Sequence, residues 1–134
     1  MRRLKRSVLN SGKNLQPILN DKKTDTPEKR KVKITKVNDV NTFNNPHQVQ
    51  AKRIFKSPKA EVIHMMLNPG ESLNSHVTPV DVFFYVLQGE PDIEIGDERV
   101  RVSTDTIIES PANIPHCVYN ESDNAVRFLV VKLT

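Results

Sequence analysis

No segment of this chain carries a convincing helical period; short apolar runs recur instead at intervals of roughly 8–12 residues, punctuated by Gly and Pro. That pattern leaves an antiparallel all-β sandwich or barrel as the fold class. Lys31–Val37 alternates charged or polar with apolar residues at period two and predicts a half-buried strand. Asn38–Pro46 is polar apart from Phe43 and reads as a loop. Val49–Phe55 predicts the next strand, with Ser57, Pro58 and Lys59 as its turn. Glu61–Leu67 is apolar on both faces except at His64, as a strand inside a sandwich would be. Pro69 and Gly70 then turn the chain, because proline presets φ and glycine accepts the positive φ of a type II turn. Val82–Leu87 (VFFYVL) is the most apolar strand and stops at Gly89. Ile93, Ile95, Val100 and Val102 alternate with charges around Gly96-Asp97, which predicts a hairpin with one wet face. Short strands over residues 106–109, 117–119 and 127–133 complete the series.

With 134 residues the chain is long enough for one domain and too short for two. It divides into a basic, flexible extension over residues 1–30 and a β-domain over 31–134. Residues 1–36 carry 12 Lys/Arg against 3 Asp/Glu, whereas residues 37–134 carry 8 against 13. The high pI therefore belongs to the extension, and the mildly acidic body lacks the basic face that nucleic-acid binding requires. The run over residues 19–31 is nearly devoid of apolar side chains and cannot offset its ordering entropy. A short helix over residues 2–9 is the one element the extension offers. A single cysteine, Cys117, excludes an intramolecular disulfide and fits a reducing compartment. No apolar run approaches the ~20 residues of a membrane span. The expectation is a cytoplasmic protein with no membrane contact.

Two stretches carry the chemistry. Pro69–Gly89 (PGESLNSHVTPVDVFFYVLQG) contains His76, and Pro111–Asn120 (PANIPHCVYN) contains His116. Together they resemble the two sequence motifs of the cupin superfamily, small β-barrels of the double-stranded β-helix or jelly-roll type. Gly70 and Gly89 frame the first motif and His76 fills its first histidine slot. Pro111, His116 and Asn120 fall at the spacings of the second, while Asp105 and Asn113 stand in its glycine slots. Thr78 replaces the family's second histidine, and the glutamate slot falls at Val82 with Asp81 one residue early.

The resemblance implies one divalent transition metal, Fe, Mn or Zn, on His76, His116 and a displaced Asp81, beside a small polar ligand. It also implies a homodimer. Two imidazoles and one carboxylate suit those ions. Asp81 reaches the interior only if a loop or bulge beyond Pro79 turns it inward, since a one-residue offset reverses a strand side chain. Its plainer role is to cap the turn at Thr78-Pro79-Val80. Thr78 and Tyr85 are the candidate ligand-binding hydroxyls, with Tyr119 a further one at a cavity edge. His64 reads as a core histidine, and Cys117 as a small buried residue on the face opposite His116. Glu109 and Asp105 read as surface or turn carboxylates.

Three functions remain open on these residues, and no catalytic residue or reaction is assigned. One is a metal-binding cupin. The second is a metal-free binding module in which His76, Thr78 and His116 hold an organic ligand directly. The third is a protein whose extension docks to a partner while the barrel senses a metabolite.

Overall fold

The computed structural model describes residues 31–134; the extension and its helix over residues 2–9 lie outside the described residues. A compact unit spans Thr35–Thr134. Its strands are β1 (Gln50–Lys56), β2 (Ala60–Leu67), β3 (Ser72–His76), β4 (Val82–Gln88), β5 (Asp92–Ile95), β6 (Glu98–Arg101), β7 (Ile107–Ser110), β8 (His116–Tyr119) and β9 (Val126–Leu133). All pair antiparallel, in a five-stranded sheet ordered β1-β2-β9-β4-β7 and a four-stranded sheet ordered β3-β8-β5-β6. The expected β-barrel is therefore present.

Period-two alternation decides which side chains fill the interior. Val82, Phe84 and Val86 of β4 point inward, as do Val126, Phe128 and Val130 of β9, and all six are buried. Ile63, Met65 and Leu67 of β2 meet them, and Leu73, Ile93 and Val118 close the core from the smaller sheet. Phe83, Tyr85 and Leu87 consequently face outward from β4 and are only partly buried.

Two expectations change. Lys31–Val37 forms no strand; Val37–Asp39 is a single 3-10 turn, and Val32 and Ile34 are exposed. Alternation alone does not make a strand where no described neighbour supplies a ladder. In the hairpin, Val100 is the cross-strand partner of fully buried Ile93 yet is 52% exposed. It sits on the edge strand β6, beyond the reach of the core. One strand was not foreseen: β3 lies within SLNSH, which alternates too weakly to be read from sequence.

The positions where the family places glycine keep glycine's backbone. Asp105 and Asn113 adopt φ of 61° and 67°, in the left-handed region that Asp and Asn tolerate better than other side chains. Gly89 has φ 87°, and a Cβ there would lie 2.9 Å from the Ala125 carbonyl oxygen and from Val126 Cγ2. Asn120, 1% exposed, donates from its amide to the Leu67 and Asn124 carbonyls. Its side-chain oxygen accepts from the backbone N–H and hydroxyl of Ser122. The motif asparagine is thus a structural tie between the β2 end and the β8–β9 loop.

Candidate functional site

His76 reaches the interior through a defect in its strand. Leu73 pairs with Val118 and His76 pairs with His116, so three steps along β3 answer two along β8. Strict alternation from inward-facing Leu73 would send His76 outward; the extra residue reverses it. His116 starts β8, is 2% exposed, and packs edge-on against Phe84 with ring centroids 5.2 Å apart. The two histidines meet with Nε2 atoms 3.1 Å apart.

The partners of these rings set their tautomers. His76 Nδ1 lies 3.1 Å from the Asn74 carbonyl, which can only accept, so Nδ1 carries the proton and Nε2 is an acceptor. His116 Nε2–H then donates to it. That leaves His116 Nδ1 to accept from the Ser110 hydroxyl at 2.7 Å, inside the core. The chain Ser110–His116–His76–Asn74 is fully satisfied by two neutral imidazoles. Burial supports the neutral form of His116 above all, assisted by the neighbouring charges of His76, Lys132 and His47. Together they lower its pKa to about 4.

A third histidine joins from the loop before β1. The His47 ring stands 5.0 Å from that of His76, and its Nδ1 accepts the Asn74 backbone N–H at 3.1 Å. Burial, and then the charge of His76, lower its pKa. Sequence reasoning gave His47 no role. The only local hint is its position after Pro46, and nothing in the chain order places it beside His76. His47 and His76 line a cavity of about 240 Å³ together with Phe43, Ile63, Leu73 and Lys132. A groove of about 330 Å³ outside the barrel, along Phe83, Ile107 and Glu109, contains no histidine.

The other expected site residues fall elsewhere. Thr78 is buried beside the pair, with Oγ1 a long 3.5 Å from His116 Nε2, and its carbonyl accepts the Asn113 N–H. Asp81 is exposed and does not join the histidines: its carboxylate accepts the Ala112 N–H at 2.9 Å. It caps a backbone amide, as its plainer reading held, but on the facing motif loop rather than its own turn. Tyr85 is turned outward by the β4 alternation and donates to Asp105 at 3.2 Å, so it contributes no hydroxyl to the interior. Tyr119 faces out of the smaller sheet, where it donates to Glu94 at 2.9 Å beneath the Arg99 guanidinium. Cys117 is buried, bonds the Leu73 carbonyl through its thiol, and is pushed up in pKa by burial. His64 is buried on the face opposite the core residues Ile63 and Met65, and accepts from Arg127 Nε at 3.1 Å.

The described residues bring two imidazoles together and no third ligand. Among the described residues no group of three His, Cys, Asp or Glu could hold an ion. Catalytic zinc sites use three protein ligands. Here Thr78 stands in one slot, Asp81 is engaged on Ala112, and the Nδ1 of His47 is taken by a backbone amide.

Comparison with known proteins agrees with this barrel. A family model described as the cupin domain matches residues 63–132, just over half of the chain. The chain belongs to the cupin family. Among solved structures this cupin is similar to the TT1209 protein of Thermus thermophilus, at 27% identity and a TM-score of 0.66, covering 76% of this chain and 97% of that one. It is also similar to a conserved protein of unknown function from Streptococcus pyogenes, at 26% identity and a TM-score of 0.58, covering 67% and 77%. A Thermotoga maritima protein described as a predicted oxalate decarboxylase shares the fold alone, at 16% identity and a TM-score of 0.69 over 76% of this chain and all of that one. No curated protein matches this cupin.

Proposed function

We propose that this cupin is a small-molecule-binding barrel whose ligand sits in the inner cavity against His47 and His76 without a metal ion. The observation that carries this is the closed hydrogen-bond chain from Ser110 through His116 and His76 to Asn74. Two neutral imidazoles that satisfy each other leave no unpaired nitrogen of that pair asking for a cation. The cavity, at about 240 Å³, lies below the ~300–1,000 Å³ of sites for drug-sized molecules and so suits a ligand of metabolite size.

A second reading has its own support. Ser110 Oγ can accept as well as donate, and with the proton on His116 Nδ1 both Nε2 lone pairs converge. Their 3.1 Å separation lies within the roughly 2.9–3.4 Å between two ligands bound at ~2.0–2.1 Å to one ion. His76 and His116 would then hold a divalent Fe, Mn or Zn ion completed by ligand and water. Metal analysis after growth in medium supplemented with Mn, Fe and Zn separates the two readings. Absence of stoichiometric metal supports direct binding, and one ion per chain that disappears in His76→Ala supports the metal.

A further inference from the structure

The inward row of β9 runs Val126, Phe128, Val130 and then Lys132. The first three are buried core residues, and the fourth, a half-buried lysine, lines the cavity. A half-buried charge between apolar walls costs desolvation free energy unless an anion meets it. Its cross-strand partner Glu61 feels the Lys132 charge, but that carboxylate is ion-paired to Arg53 and forms no salt bridge with Lys132. No described carboxylate forms an ion pair with Lys132.

A second donor shares the cavity. Since His47 Nδ1 accepts the Asn74 N–H, its proton sits on Nε2, and no described acceptor takes that proton. Phe43, Ile63, Met65, Leu73 and Val130 form most of the remaining wall, and its two other polar residues have their donors engaged, Asn45 on the Phe43 and Val49 carbonyls and His76 on the Asn74 carbonyl. One cationic and one neutral donor, on a wall whose other donors are already engaged, match a group that only accepts and carries a single charge. A phosphate would bring a second charge and further oxygens for which the wall has no unengaged donors.

We propose that the ligand of the inner cavity is a small monocarboxylate with an apolar body, its carboxylate held by Lys132 and His47. This rests on the small-molecule reading above and names the ligand class for that same site. The apolar body lies against Ile63, Met65 and Val130.

The test uses the full chain with labelled Ile, Met and Val methyls, titrated with isovalerate and with its neutral isostere isovaleramide. Isovalerate should shift the Ile63, Met65 and Val130 methyls and bind at least tenfold more tightly than the amide. Lys132→Met, which keeps the length of the side chain, should weaken isovalerate roughly ten- to a hundredfold and leave the amide unchanged. Equal binding of acid and amide, or undiminished acid binding by Lys132→Met, overturns the carboxylate assignment and leaves the small-molecule reading standing. No shift of these methyls with either compound overturns both.

Discussion

His76 and His116 face one another across the β3–β8 pair with Nε2 atoms 3.1 Å apart, and each ring is fixed from behind through Nδ1. The geometry depends on one inserted residue in β3 and one buried hydroxyl in β7. Each of these dependencies can be tested.

Ser110→Ala removes the 2.7 Å partner of His116 Nδ1 in a site without water access. A buried polar atom left unpaired costs about 1–3 kcal/mol. Urea denaturation should show a loss in that range, whereas Ser103→Ala, which removes an exposed hydroxyl contact, should stay within about 0.5 kcal/mol.

Stability should fall as the solution is acidified from neutrality. The folded pKa of His116 is lowered to about 4 from an ordinary value near 6.5, mainly by burial. Between those values the unfolded chain binds the extra proton, so the contribution is complete above pH 6.5 and is lost towards pH 4. Each pH unit in that window removes at most about 1.4 kcal/mol. His47 and His64 are also lowered by burial and act with the same sign. His116→Gln should therefore flatten the dependence of the urea midpoint on pH without abolishing it. An unchanged slope would show that His116 is already accessible to protons in the folded barrel.

Gly89→Ala should destabilise the barrel far more than Gly70→Ala. Both positions have φ 87°, but only at Gly89 would a Cβ lie 2.9 Å from a backbone oxygen, while at Gly70 nothing lies within 4 Å. The left-handed backbone alone costs roughly 1–2 kcal/mol, so thermal melts should show that loss for Gly70→Ala and a clearly larger one for Gly89→Ala.

Asp81→Ala should cost about 1 kcal/mol through the lost bond to the Ala112 amide and leave ligand binding unchanged. A loss of binding comparable with that of His76→Ala would place Asp81 in the site after all.

The barrel was legible because β4 and β9 are long apolar runs and the turns between strands carry Gly, Pro, Asn or Asp. Asp105 and Asn113 keep the positive φ of the second motif's glycine slots, which Asp and Asn tolerate better than other side chains, so the fold is kept without glycine there. His76 and His116 were visible because they stand at motif spacings. Asp81 and Tyr85 were misplaced because sequence shows neither which backbone amide a carboxylate will cap nor which face of β4 is the inner one. His47 was invisible for another reason. Its contact with His76 links a loop before β1 to β3, and no local pattern records a pairing of that range. Lys132 was hidden in the alternation of β9, where a charge at the end of an apolar row reads as a strand terminus rather than a cavity wall.

The most direct measurement is metal content per chain, determined by elemental mass spectrometry on protein grown with added Mn, Fe and Zn and purified without chelator. The closed hydrogen-bond chain through His116 and His76 predicts well under one ion per chain, with isovalerate binding undiminished by EDTA. One tightly held ion per chain, lost together with isovalerate binding in His76→Ala, would contradict it.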